Sequence, residues 1–202
     1  MERAFVEVIE SEIPKNSVLI SMGLPGSWKS PVTEEIARMK GFQILRSDMI
    51  RLEVLKGQDI FDNKVASSPE NRRKVYEEMF RIAKEALKAN PGGLILDATF
   101  VTQGLRAQAA EIAEKANRPF VIAECACTEE KSIERILKRT KENYESNALT
   151  REAYLNNKAI FQPIDIGNLK EKAPGVSIIH LTIDTEYDTA SDWKIRKIEK
   201  RS

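Results

Sequence analysis

Eight residues near the amino end, Gly23-Leu24-Pro25-Gly26-Ser27-Trp28-Lys29-Ser30, have the types and spacing that hold a phosphate. Glycines let the backbone curl around an anion with its N–H groups inward, and a following helix adds the positive end of its dipole. In the pattern G-x-x-x-x-G-K-[ST] the Lys neutralises the β- and γ-phosphates and the Ser hydroxyl holds Mg²⁺. The expected ligands are therefore ATP and Mg²⁺, with Gly23, Gly26, Ser27, Trp28, Lys29 and Ser30 around the nucleotide. Trp28 stands where the pattern has its last glycine. An indole there must swing out of the cradle or block it, and the loop can relax into a closed shape. Glycine at that position is expected to raise ATP affinity at least about tenfold. A plain strand-to-helix turn, the competing reading, has no use for a Lys-Ser pair just inside the helix.

Further along, Asp97 ends an apolar run, Leu94-Ile95-Leu96, where a carboxylate can join Ser30 at the magnesium, or simply cap the turn into Ala98-Thr99. Asp48 is a candidate general base toward a hydroxyl, with a turn cap as its alternative. Arg51, three residues on, can hold an anionic group of the acceptor and keep Asp48 ionised. Arg135 and Arg139, at i and i+4, project together from one helix face. They suit either a solvated surface or a clamp on a transferring phosphoryl group. The single His180 lies in an apolar strand and reads as a packed residue, so a histidine metal triad is excluded. Cys125 and Cys127 sit two apart, a poor arrangement for mutual pairing and too few ligands for zinc.

These residues need a frame. The 202-residue length suits one domain over 1–202, and 32 basic against 31 acidic side chains give no overall field that attracts nucleic acid. No run of about 18 apolar residues is present, and Met1-Glu2-Arg3-Ala4 lacks signal-peptide character, so a cytoplasmic protein without membrane or evident protein partner is expected. Residues 5–12 fit a short strand and a helical turn equally. After the loop, periodicity predicts a helix from Lys29 to Met39, a strand Phe42–Asp48, and a loop or short helix plus loop over the site through Ser67. Ser67 or Ser68 then caps a long helix carrying Val75, Met79, Ile82, Ala83 and Ala86 inward. A buried strand Leu94–Asp97, a helix Gln103–Asn117, a strand Phe120–Cys127 and a helix capped by Thr128 follow, that last helix with Ile133, Ile136 and Leu137 as its apolar face. Thr150 caps a further helix to Phe161, Pro163 and Gly167 punctuate a turn, 177–183 is a last strand and 191–200 a basic terminal helix. Strands alternating with helices imply a parallel, doubly wound α/β sheet.

The set Gly23 to Ser30, Ser47-Asp48-Met49-Ile50-Arg51, Leu94 to Thr99 with Arg106 beyond, and Ile133 to Arg139 resembles the small P-loop kinases grouped around the polynucleotide kinase domain and the zeta toxins. The resemblance covers about Val18 to Pro163. It implies a three-layer α/β/α P-loop NTPase fold with a five-stranded sheet in the order 2-3-1-4-5 and a small helical lid. It implies Lys29 and Ser30 on phosphate and magnesium, Asp48 as base, Arg51 positioning the acceptor, and Arg135 and Arg139 in the lid. The acceptors of such kinases range from 5′-hydroxyl ends of nucleic acid to sugars, nucleotide sugars and antibiotics. Departures from the pattern are Trp28 and, to a lesser degree, Pro31.

Three readings follow. One is an ATP-dependent kinase acting on a hydroxyl of a small molecule or a nucleic-acid end. Another is a catalytically weak or inactive relative kept as a binding or regulatory module, favoured by Trp28. The third, a nucleotide hydrolase or switch, has no need of the Asp48-x-x-Arg51 pair.

Overall fold

The computed structural model describes residues 2–140 and 148–202. In chain order the elements are β1 (Arg3–Ala4), α1 (Phe5–Glu12), β2 (Val18–Met22), α2 (Lys29–Lys40), β3 (Gln43–Arg46), α3 (Ser47–Val54), α4 (Asn63–Ser67) and α5 (Pro69–Ala89). The second half runs β4 (Leu94–Asp97), α6 (Gln103–Lys115), β5 (Phe120–Ala126), α7 (Glu129–Leu137), α8 (Arg151–Ile160), α9 (Ile166–Lys172), β6 (Ile178–Asp184) and β7 (Lys194–Arg201).

The strands form one seven-stranded sheet, β1-β7-β6-β5-β2-β4-β3. Its five parallel members, read from β3 to β6, keep the order expected from the resemblance, and antiparallel β7 and β1 extend the β6 edge. Central strands are apolar on both faces because helices cover both. On one face Val18, Ile20, Leu96 and Ile122 pack against α5, α6 and α9. On the other, Leu19, Ile95, Val121 and Leu181 pack against α1 and α2. Among the described residues no helix is long and apolar enough to cross a membrane.

Several expectations need correction. The basic segment near the carboxyl end is a strand, not a helix. Its apolar residues Ile195 and Ile198 are three apart, which reads as helical, but the ladder slips at Thr182/Ile183, so that Ile195 pairs with Ile183 and Lys197 with Thr182. Arg196 is the extra residue of a bulge, and the bulge returns Ile198 to the face of Ile195. The undecided stretch at 5–12 is α1, fixed by burial of Phe5, Val8 and Ile9, with Phe5 edge-on to Trp193 at 5.1 Å. Gly167 lies inside α9, a helix that Asp165 caps by accepting from the Asn168 N–H at 2.9 Å. Leu137, expected inside, is 63% exposed at the end of α7. Residues 141–147, which follow Arg139 of the expected lid, lie outside the described residues. Elsewhere the caps lie where the sequence puts them, with Ser68, Thr128 and Thr150 each accepting from a first-turn N–H.

Candidate active site

Strand β2 delivers the glycine loop to the carboxyl edge of the parallel strands, where α/β sheets bind ligands. Gly23 and Gly26 have φ of 145° and 82°, and a Cβ would lie 2.5 Å from the Cys125 carbonyl oxygen at the first and 2.3 Å from that of Ser132 at the second. Both glycines are thus demanded by the close approach of the loop to β5 and α7. Gly23 and Ser27 face a hollow of about 140 Å³ behind the loop, beside Cys127 and Tyr154. The Ser27 amide donates back to the Leu24 carbonyl, and its buried hydroxyl oxygen has no partner among the described residues.

Trp28 is the N-cap of α2, with φ 64° and ψ 27°, the left-handed conformation a glycine would take. The backbone at this position thus keeps the turn that the pattern's glycine supplies. The Arg135 guanidinium carbon stands 4.4 Å from the indole centroid, and the indole N–H donates to the Asp188 carbonyl at 3.3 Å. The ring also borders the main cleft.

Tryptophan cannot accept a hydrogen bond, so α2 has no side-chain cap. Its first-turn amides have no intrahelical acceptors and open on a cleft of about 670 Å³ lined by Lys29, Ser30, Asp48, Asp97, Arg51 and Arg139, among others. The Lys29 ammonium donates to the Leu24 carbonyl at 2.9 Å. Burial lowers its pKa, opposed chiefly by the charge of Asp97. A desolvated ammonium beside free helix amides is a place for oxyanions.

Asp97 closes β4 at 5% exposure and accepts from the Ser21 hydroxyl at 2.8 Å. Thr33 Oγ1 stands 3.3 Å from its other oxygen. Ser30 and Asp97 thus border one cleft with hard oxygen donors, a set that suits Mg²⁺ completed by water and phosphate oxygens. Asp48 lies in the first turn of α3 rather than at the end of a strand, because β3 stops at Arg46. Burial pushes its carboxyl above the ordinary carboxylate range, partly offset by Arg51.

Arg135 and Arg139 do not project together. Helix α7 ends at Leu137; Arg139 lies past it and borders the cleft, where its guanidinium donates to the Ala148 carbonyl at 3.2 Å. Arg135 is buried instead, donating to the Asp188 carboxylate at 2.6 Å and to the carbonyls of Thr185 at 2.7 Å and Gly26 at 3.3 Å. It ties the glycine loop to the β6–β7 turn and does not border the cleft. Arg106, fully buried, likewise braces carbonyls, among them Phe100 at 2.9 Å and Gln162 at 2.7 Å. His180 is packed in β6 with Nε2 2.8 Å from Glu124. Sequence reasoning missed Arg46, Arg72 and Tyr76 in the cleft wall. The i, i+4 spacing of the last two on α5 was their only signal, and nothing local says that α5 crosses the site.

A parallel α/β core with this loop between β2 and α2 defines a P-loop NTPase-like protein. A family model described as AAA domain matches residues 18–164, and the chain belongs to that family. A search of curated proteins gives no sequence match. Among solved structures the chain is similar to one described as a "putative kinase" from Chloroflexus aurantiacus, with TM-score 0.62 and 17% identity over 86% of this chain and 90% of that one. It is also similar to a sugar kinase from Janibacter, with TM-score 0.53 and 15% identity over 84% and 86% of the two chains. At these identities the likeness is one of fold.

Proposed function

We propose that the protein is an ATP-dependent phosphotransferase that moves the γ-phosphoryl group to a hydroxyl acceptor. The observation that carries this reading is a single cleft holding both halves of the chemistry. Lys29, Ser30 and Asp97, with the uncapped α2 amides, would serve the nucleotide, and Asp48 and Arg51, which line the same cleft, would serve the acceptor. Water as acceptor needs no such second set, which speaks against a hydrolase. The kinase descriptions of the two similar structures agree with the reading.

In this reading Lys29 leaves the Leu24 carbonyl for the β- and γ-phosphate oxygens, and the α2 amides hold the same group. Ser30 and Asp97 hold Mg²⁺, which supplies charge neutralisation on the phosphates. Asp48 takes the acceptor's hydroxyl proton as the oxygen bonds to the γ-phosphorus and the bond to the β–γ bridging oxygen breaks, with ADP leaving. A carboxyl whose pKa is raised by burial is the better proton acceptor for that step. Arg139, on the cleft wall, stabilises charge on the transferring group, while Arg135 acts at one remove by fixing the loop.

The reading is tested by incubating the protein with γ-labelled ATP and panels of sugars, phosphorylated alcohols and 5′-hydroxyl oligonucleotides. Label transfer that Asp48→Asn abolishes is the expected result. Tight Mg-ATP binding with no transfer to any acceptor would favour the second reading, a binding or regulatory module. That reading is supported by Trp28 at the cleft border and by the engagement of Lys29 with its own loop.

A further inference from the structure

Two guanidinium groups stand at the acceptor end, one with donors left unfilled by the described residues and the other paired with no carboxylate among them. Arg51 on α3 and Arg72 on α5 both border the cleft, beside Phe61 and Tyr76. The Nε and Nη1 atoms of Arg51 are buried with no hydrogen-bond partner among the described residues. Arg72 is half-buried, and burial and the nearby charge of Arg51 both lower its pKa. No carboxylate among the described residues pairs with it. The Tyr76 hydroxyl accepts from the Phe100 N–H at 2.9 Å and leaves Arg51 Nε and Nη1 unfilled.

Burying a charged donor without an acceptor is costly, and setting a second like charge beside it adds to the cost. Both costs fall if a ligand supplies the acceptors. A carboxylate has two oxygens to share between two planar forks, whereas a phosphomonoester offers three, with nearly two charges, and can fill both.

Resting on the phosphotransferase reading, we propose that the hydroxyl acceptor already bears a phosphomonoester, gripped between Arg51 and Arg72 while its hydroxyl lies against Asp48. The substrate class is then a small phosphorylated alcohol, and the product a bisphosphate. The rim of Met49 and Phe61 would contact its carbon chain.

The glycine loop also binds phosphate in this reading, so the test removes that site first. In Lys29→Ala protein, inorganic phosphate and glycerol 3-phosphate, titrated by calorimetry, are expected to bind still, and adding Arg72→Ala is expected to weaken both about tenfold or more. Arg72→Lys, which keeps the charge and loses the fork, should fall between. Glycerol should not bind. If Lys29→Ala alone removes all phosphate binding, or if Arg72→Ala changes nothing, the proposal fails. Transfer of label from γ-labelled ATP to any acceptor of the panel by the wild-type protein, measured in parallel, reports separately on the phosphotransferase reading. Preferential binding of a 5′-hydroxyl oligonucleotide over glycerol 3-phosphate would overturn the small-molecule assignment.

Discussion

Replacing Trp28 by glycine separates what the loop needs from what the indole contributes. Glycine relieves the left-handed strain at φ 64°, worth about 1–2 kcal/mol. Against this, its greater freedom in the unfolded chain costs about 0.5–1 kcal/mol. The contact of Arg135 with the ring at 4.4 Å is lost, and a partly desolvated cation–π pair is worth about 1–2 kcal/mol. The long indole hydrogen bond to Asp188 contributes about 0.5 kcal/mol more. The losses exceed the gain, so Trp28→Gly is expected to be less stable by about 1 kcal/mol, lowering Tm by about 2–4 °C for a chain of this size. Because the backbone already takes the glycine-like turn and the indole is tied toward Asp188, the gain in Mg-ATP affinity should be smaller than the tenfold expected from sequence. Calorimetric titration and a thermal melt of the two proteins decide it. A gain of tenfold or more, or a rise in Tm, would refute the reasoning, since either would mean that the ring obstructs the cradle or that strain outweighs its contacts.

Lys29→Ala should abolish Mg-ATP binding in calorimetry while leaving the ligand-free protein as stable or more so. The lowered pKa means that its charge costs stability as pH falls through the folded value. Asp48→Asn should lower kcat by about 10²- to 10⁴-fold with ATP affinity nearly unchanged, and wild-type kcat/KM should fall on the acid side with an inflection above that of an ordinary carboxyl. The raised carboxyl pKa makes the folded state hold its proton more tightly than the unfolded chain. The stability that this one group contributes is therefore full below about pH 4 and is lost as pH rises through the folded value. The same variant should then melt higher than wild type at neutral pH and equally at low pH. Arg135→Ala should destabilise by about 3 kcal/mol, because the Thr185 and Gly26 carbonyls lose their donor, and an unchanged melt would show that the tie between loop and β6–β7 turn is dispensable.

Local chemistry in the sequence determined the glycine loop, the helix caps and the buried strands. Each of these depends on a few adjacent residues: glycines where the loop meets β5 and α7, Ser68 or Thr128 at a helix start, and unbroken apolar runs where two helical layers cover a strand. The parallel sense of the sheet also followed from strands alternating with helices, while the order of its strands came from the resemblance. What tertiary structure alone decided is where long side chains go. Arg135 and Arg139 are equivalent on a helix drawn from sequence, yet α7 stops at Leu137, so one is buried beneath the loop and the other borders the cleft. The bulge at Arg196 turned a helix-like spacing into a strand, since register depends on β6 and not on β7 itself. Arg72 entered the acceptor end only because α5 crosses it, and Trp28 could keep a glycine's backbone only because Arg135 and Asp188 were there to receive its ring. Those contacts join residues far apart in the chain, and their energies exist only once the sheet has brought them together.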